Sequence, residues 1–131
     1  MAFATHAKGA ILLVEDDAAV RQTFERMLRL GGYDVVAAPD AAAGLRAMAD
    51  APAAVLVDLR MTSVDGLELV RKIRERETNG HGTPIAVITG DYFLEDAIRP
   101  RLREFQAELY FKPLWLNDLL QILDELIRES P

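Results

Sequence analysis

The feature that most constrains the fold of this chain is a set of four apolar runs, each ending abruptly in a polar residue. The runs cover residues 11–14, 53–57, 84–88 and 109–111, and they are followed by Glu15 with Asp16, by Asp58, by Thr89 and by Lys112. Continuous apolar runs of this length, separated by segments of helical periodicity, are typical of buried strands in a parallel sheet. Because ligands of such sheets bind beyond the carboxyl ends of the strands, the sequence predicts a site there where carboxylates, a hydroxyl and an ammonium group converge.

Segments of helical periodicity alternate with these strands. Asp17 is a plausible N-cap for a first helix that ends at Leu30, before a pair of glycines. Residues 33–38 have the pattern of a further strand, which follows this helix. Asp40 then caps an alanine-rich second helix, which the sequence predicts to end near residues 50–52.

The second half of the chain repeats the alternation. A loop through Asp65-Gly66 is expected to lead into a third helix that carries Leu67 and Ile73. Residues 92–104 form a weakly periodic fourth helix, and leucines at helical spacing from residue 116 onward predict a fifth. Five strands alternating with five helices predict a doubly wound α/β sandwich with right-handed crossovers.

Composition narrows the class of protein. The 131 residues are enough for one domain with its own core, and half of them are apolar. Fifteen basic and 21 acidic residues give a net charge of −6 without a marked lysine or arginine cluster, so nucleic-acid binding by this chain alone is not expected. The absence of cysteine excludes disulfides and thiolate metal sites. No apolar stretch has the length of a signal peptide or a membrane span, which favours a cytoplasmic protein.

The acidic residues at the strand ends are suited to a metal ion. Glu15 and Asp16, together with Asp58 beyond another strand, would crowd like charges that raise one another's pKa when unpaired. A divalent cation relieves this repulsion, and a set of oxygen donors favours Mg²⁺. The alternative is that acids of this segment only cap the following helix, which is the better interpretation for Asp17 and the weaker one for Glu15 and Asp16.

Asp58 is the candidate for covalent chemistry. A carboxylate that closes a fully apolar strand is costly unless it is paired or liganded, and carboxylates can act as nucleophiles toward phosphorus. Lys112 supplies a mobile charge suited to a phosphate, and Thr89 supplies a hydroxyl donor. Singly, Lys112 is explained by a surface ion pair and Thr89 by a strand-end hydrogen bond; together, the four strand ends favour a phosphoryl site.

The runs ILLVEDD, VLVDLRMTSVDGLELVRKIRE, IAVITG and FKPL resemble the receiver domain of two-component response regulators over residues 10–129. The resemblance, nearest to stand-alone chemotaxis-type regulators, implies a flavodoxin-like (βα)5 sandwich with strand order 2-1-3-4-5. It implies that a histidine kinase or a histidine phosphotransfer protein phosphorylates Asp58 and that the domain then changes its affinity for a partner. It further implies Mg²⁺ binding by Glu15, Asp16, Asp58 and the backbone carbonyl of Arg60. Thr89 would be the switch hydroxyl, and Lys112 the lysine of a Lys-Pro turn.

The boundaries and context of the domain are expectations as well. Residues 1–9 are expected to form a flexible arm and residues 10–129 the receiver domain, with no room for a DNA-binding output domain. A receiver segment of a hybrid histidine kinase or of a larger regulator is the alternative context. A phosphatase that forms an aspartyl phosphate, as in the haloacid dehalogenase-like superfamily, is a weaker alternative. That superfamily has an acid two residues after the nucleophile, where this chain has Arg60. A degenerate receiver used only for binding is disfavoured, since all five functional positions are filled.

Two positions depart from the family pattern. Thr62 replaces a proline after the phosphoacceptor, and Leu109 replaces the aromatic residue that usually couples to the switch hydroxyl. The neighbouring Tyr110 cannot substitute, because an offset of one residue in a strand points a side chain to the opposite face. We therefore expect the signal to leave through the loop after Thr89 or through the last helix.

Three further residues are candidates for regulation. Arg60 and Asp91 lie at two positions that tune acyl-phosphate lifetime in this family, and a pair between them would hinder attacking water; two solvated side chains are the alternative. Trp115 precedes the last helix, where the family usually has a small capping residue. It could anchor a partner or a homodimer through the face of the fourth helix, last strand and last helix, although packing over the Lys-Pro turn is the simpler expectation.

Overall fold

In the computed structural model, the described residues are 9–58, 63–77, 82–90, 95–112 and 115–128. Five strands in this part of the chain form one sheet, in the order β2-β1-β3-β4-β5, with every neighbouring pair parallel. The strands are β1 (Ala10–Val14), β2 (Asp34–Ala38), β3 (Ala54–Asp58), β4 (Ile85–Thr89) and β5 (Ala107–Phe111). The flavodoxin-like sandwich and its strand order are thereby confirmed.

The helices occupy the segments between the strands. They are α1 (Ala18–Leu30), α2 (Ala41–Ala47), α3 (Ser63–Arg76), α4 (Glu95–Glu104) and α5 (Leu116–Arg128), with a 3-10 turn at Met48–Asp50 that continues α2. Both predicted aspartate caps are confirmed, because the side chain of Asp17 accepts from the backbone N–H of Val20 and that of Asp40 from Ala43. Within the described residues, no helix is both long enough and apolar enough to span a membrane.

One predicted boundary is wrong. Asp65-Gly66 was expected to form a loop, but α3 begins at Ser63 and includes both residues. An aspartate-glycine pair favours a turn, but tertiary packing routinely overrides such local preferences. Here Gly66 is buried within the same helix that places Leu67 and Val70 in the core.

The sheet separates two apolar clusters. Alternate strand residues point to opposite faces, so Leu12, Val57 and Val87 pack with α2, α3 and α4, whereas Leu13 and Ile88 pack with α1 and α5. β3 and β4 are buried along their whole length, as strands covered by helices on both faces must be. The sheet is therefore a rigid frame, and the residues at its carboxyl edge are held at fixed positions.

Candidate functional site

The buried polar groups lie at the carboxyl edge of the sheet. There Glu15 and Lys112 follow β1 and β5, and Asp58 and Thr89 are the last residues of β3 and β4. Glu15 is fully buried, and Asp58 and Thr89 are each 3% exposed. Among the described residues, these three are the only polar or charged ones that are buried. The strand order places β1, β3, β4 and β5 side by side, so the four predicted side chains end neighbouring strands. Burying polar groups is costly unless they are paired, which indicates that this edge serves a function.

Lys112 brings its charge to the carboxylates. Its Nζ donates a hydrogen bond to Oδ2 of Asp58 at 2.5 Å and lies 4.0 Å from Oε1 of Glu15. Its backbone N–H donates to the carbonyl of Thr89 at 2.8 Å, which ties the end of β5 to the end of β4. The surface ion pair considered from the sequence is not what forms, because the partner carboxylate is buried.

Glu15 is the least satisfied group of the site. Its Oε2 accepts from the backbone N–H of Asp17 at 2.9 Å, while its Oε1 is buried without a hydrogen-bond partner among the described residues. Burial, followed by the hydrogen bond and charge of neighbouring Asp58, raises the pKa of Glu15 to about 8. A buried carboxyl group with an unsatisfied oxygen is a chemical fit for an added cation.

The carboxylates provide oxygen donors of the kind that Mg²⁺ prefers. Asp16 lies exposed at the rim, beside the buried Glu15 and Asp58. Among the described residues, however, no group of three or more acidic or histidine side chains is already arranged as a metal site. Arg60, whose backbone carbonyl is the further donor implied by the family, lies outside the described residues. The donor chemistry therefore fits the ion, with two buried carboxylates and one at the rim.

Two residues of α1 support the site, and the sequence did not single them out for this role. Arg21 donates from Nη1 to the carbonyl oxygens of Glu15 at 2.9 Å and Asp16 at 3.5 Å, which fixes the loop between β1 and α1. The ring of Phe24 lies under Nζ of Lys112, with 5.9 Å between the nitrogen and the ring centroid. An arginine one turn into a helix looks like any solvated arginine in sequence, so no pattern could have identified Arg21.

The side chain of Leu109 lies on the face of the sheet opposite to α1. It is buried, at 8% exposure, in the cluster that contains Ile98 and Leu102 of α4, whereas the adjacent Tyr110 packs in the cluster of α1 and α5. The opposite orientation expected for these two residues is confirmed. The proposed roles of Thr62, Asp91 and the Lys-Pro turn fall on residues outside the described part of the chain.

Trp115 lies largely in solvent, and Pro113, in the turn over which it was expected to pack, lies outside the described residues. Trp115 is 72% exposed, and its carbonyl accepts the first hydrogen bond of α5, from the N–H of Leu119. A tryptophan side chain has no oxygen with which to cap a helix. The carboxylate of Asp118, in the first turn of α5, accepts from the backbone N–H of Trp115 at 3.0 Å, which is the reciprocal half of a capping box.

Comparison with known proteins identifies relatives of this chain. A sequence profile of the response regulator receiver domain matches residues 11–124. Response regulator MprA of Mycolicibacterium vanbaalenii is 36% identical over 124 residues, which cover 92% of this chain and 51% of that protein. The chain thus spans about half the length of the curated relatives that it matches.

Solved structures agree with the sequence relatives. The receiver domain of a sensor histidine kinase from Pseudomonas aeruginosa PAO1, with a magnesium ion coordinated in the active-site cleft, is 29% identical and superposes with a TM-score of 0.78. That alignment covers 92% of this chain and 98% of the other. A CheY-like receiver domain protein from Methanospirillum hungatei JF-1 is 28% identical, also with a TM-score of 0.78, over 92% of this chain and 94% of the other.

Proposed function

This chain belongs to the response regulator receiver domain family, and we propose that Asp58 accepts a phosphoryl group from a histidine kinase or a histidine phosphotransfer protein. The observation that carries this proposal is the buried Asp58 carboxylate at the end of β3, held 2.5 Å from the ammonium group of Lys112. A carboxylate so placed is shielded from bulk water and oriented by a cation. Both properties favour a defined nucleophile over a solvated surface acid.

In the transfer step, a carboxylate oxygen of Asp58 attacks the phosphorus of a phosphohistidine on the donor protein. The new oxygen–phosphorus bond forms as the nitrogen–phosphorus bond breaks, and the electron pair of that bond remains on the imidazole nitrogen. Mg²⁺, held by Glu15, Asp16, Asp58 and the carbonyl of Arg60, would supply positive charge to the phosphoryl oxygens when bound. Lys112, already beside Asp58, would contribute a second positive charge to the same oxygens.

The phosphorylated state would then favour a second conformation. A phosphoryl group on Asp58 brings strong hydrogen-bond acceptors to the edge that Thr89 and Lys112 share through the 2.8 Å backbone bond. The hydroxyl of Thr89 is a switch candidate, because the residue ends β4, which pairs directly with β3. Because Leu109 is aliphatic, we propose that the signal leaves through the loop after Thr89 or through α5.

The biological context belongs to the same proposal. The chain would act in the cytoplasm within a phosphorelay, as a regulatory module rather than an enzyme with a substrate of its own, and would not bind nucleic acid or membranes directly. Its output would be altered affinity for a protein partner. The exposed Trp115 is a candidate anchor for that partner or for a homodimer through α4, β5 and α5. A hybrid kinase or a larger regulator remains the alternative setting.

Labelling with acetyl phosphate tests the proposal. We expect the intact protein to gain the mass of one phosphoryl group only when Mg²⁺ is present, and Asp58→Asn to gain none. Asp16→Asn should need more Mg²⁺ for the same labelling, whereas Asp17→Asn, which keeps a helix cap, should behave as the parent does.

Two results would contradict this function. Labelling that persists in Asp58→Asn would move the acceptor elsewhere. Repeated turnover of a simple phosphomonoester would instead indicate the phosphatase alternative, because a regulatory receiver releases its phosphoryl group once for each phosphorylation event.

A further inference from the structure

A groove on the protein surface separates α2 from α3. It consists of two adjacent cavities, of about 350 Å³ and about 330 Å³, which share the lining residues Leu45, Arg46 and Arg76. Cavities of this size are in the range of ligand-binding clefts. None of the lining residues belongs to the phosphoacceptor site, so the groove requires a separate explanation.

The sequence of α2 produces this groove. The residues that α2 and its 3-10 extension contribute to the cavity walls include Ala41, Ala42 and Ala49, whose side chains are too short to fill the space toward α3. Gly44 lets the helix approach the sheet closely, since a Cβ there would lie 2.8 Å from a methyl group of Val14. The helix is therefore held low against the sheet, and an open channel remains beside it.

The floor and rim of the groove differ in chemistry. Leu69 and Ile73 of α3 line the cavities from below and are each 1% exposed, so the apolar surface that a ligand could contact comes mainly from the partly exposed Leu45 and Met48 above them. Arg46, Lys72 and Arg76 lie exposed along the rim. An apolar floor with a cationic rim offers two kinds of contact to one ligand.

The rim cations do not form close ion pairs with the acids beside them. Within the described part of the chain, none of Arg46, Lys72 and Arg76 lies within 4.0 Å of a carboxylate oxygen. The two acids that line the cavities are engaged elsewhere, Glu68 by Arg71 and Glu77 by Arg74. In a protein of net charge −6, this leaves a locally positive groove.

We propose that the α2–α3 groove, defined by Leu45, Arg46, Leu69, Lys72, Ile73 and Arg76, binds an acidic amphipathic segment of a partner protein. Two apolar side chains one helical turn apart would enter the two cavities, and carboxylates beside them would pair with the rim cations. The phosphate backbone of a nucleic acid is the poorer fit, because it has no apolar groups for the floor and calls for a larger array of cations. This inference goes beyond the phosphoacceptor function and does not rest on it.

Selection from a displayed library of random twelve-residue peptides tests the proposal with the full chain. The library is selected in parallel on the parent protein and on the Arg46→Ala/Arg76→Ala double variant, both checked for folding by circular dichroism. We expect the parent alone to enrich peptides that combine glutamate or aspartate with apolar residues at helical spacing. Equal enrichment on both proteins, or enrichment of neutral or basic peptides, would overturn the proposal.

An enriched peptide then gives the affinity. By fluorescence anisotropy, the double variant should bind it at least about tenfold more weakly than the parent, the size expected when interface anchors are truncated. Arg26→Ala, which removes an exposed arginine of α1, is the matched control and should bind as the parent does. The floor should respond as well, with amide shifts of Leu69 and Ile73 in NMR spectra. Shifts confined to another face, or tighter binding of an unrelated DNA duplex to the same groove, would refute it.

Discussion

Arg74, near the end of α3, has a hydrogen-bond acceptor for each of its nitrogens, whereas Glu15, across the sheet, keeps a buried oxygen with no hydrogen-bond partner among the described residues. At the amino edge, Arg74 donates to the carbonyls of Phe105 at 2.7 Å and Thr83 at 2.8 Å and to Oε1 of Glu77 at 2.7 Å. The other oxygen of Glu77 accepts from the backbone N–H and the hydroxyl of Thr83. We call Arg74, Glu77 and Thr83 the amino-edge clamp.

The pKa values of the two glutamates express this contrast. Burial tends to raise the pKa of Glu77, but hydrogen bonds from Thr83 and Arg74 outweigh it, and the pKa lies below its ordinary value. At the carboxyl edge, burial and Asp58 raise the pKa of Glu15 to about 8. A charge whose hydrogen bonds are complete stabilises the fold, whereas an incompletely paired one is a cost that function explains. The clamp is therefore structural, whereas the carboxyl edge keeps a buried polar group whose hydrogen bonds are incomplete.

The largest expected effect comes from removing the clamp. Arg74→Ala should lower the free energy of unfolding by about 3–5 kcal/mol, because it leaves a largely buried carboxylate and carbonyl groups unpaired. Urea denaturation at pH 7 measures this loss. Arg71→Ala is the matched control on the same helix, since the Arg71 pairs with Glu68 and Glu75 are exposed to solvent and should contribute far less to stability than the clamp does. Equal losses in the two variants would remove the distinction between clamp and surface.

A smaller effect, with a defined pH dependence, is expected for Glu77→Gln. At pH 7 the substitution should cost about 1–3 kcal/mol, because hydrogen bonds to a charged group are lost. Since the folded pKa of Glu77 is lowered, its contribution is present above the unfolded value of 4.5 and is lost as the pH falls through the folded pKa. The stability difference between parent and variant should therefore shrink in urea titrations as the pH falls below 4.5; a constant difference would contradict the assigned hydrogen bonds.

At the carboxyl edge we expect a substitution to stabilise the protein instead of destabilising it. Glu15→Gln should raise the free energy of unfolding of the metal-free protein at pH 7 by about 1 kcal/mol. With a pKa of about 8, the buried carboxyl group must take up a proton on folding, a cost that the neutral amide avoids, and the amide also places a donor near Asp58. The same variant should lose most of the stabilisation that added Mg²⁺ gives the parent. Thermal unfolding with and without Mg²⁺ measures both quantities. A less stable Glu15→Gln protein would mean that the carboxylate contributes to the fold as the clamp does.

The carboxyl edge was predictable from sequence because it depends on where strands end. Apolar runs that stop at Asp58 and Lys112 specify both the strand and the polar side chain that follows or ends it. Parallel pairing then brings these side chains to the same edge of the sheet. The amino-edge clamp was not predictable, since Arg74 reaches the turn at Phe105 across a separation of 31 residues. The sequence does not indicate which distant carbonyl group a long side chain will contact.

The smallest expected effect concerns the lifetime of the acyl phosphate. If Arg60 and Asp91 pair across the mouth of the site, Arg60→Ala should shorten the phosphate lifetime by less than about fivefold, since an exposed pair contributes under about 1 kcal/mol. Asp91→Ala should produce the same shortening and the double variant no more, because either change removes the whole pair. Dephosphorylation followed by intact mass after removal of the phosphodonor measures all three lifetimes. Additive effects, or a longer lifetime in Arg60→Ala, would show that the two residues act separately. Unchanged stability to urea in each variant would show that the effect on phosphate lifetime is independent of the amino-edge clamp.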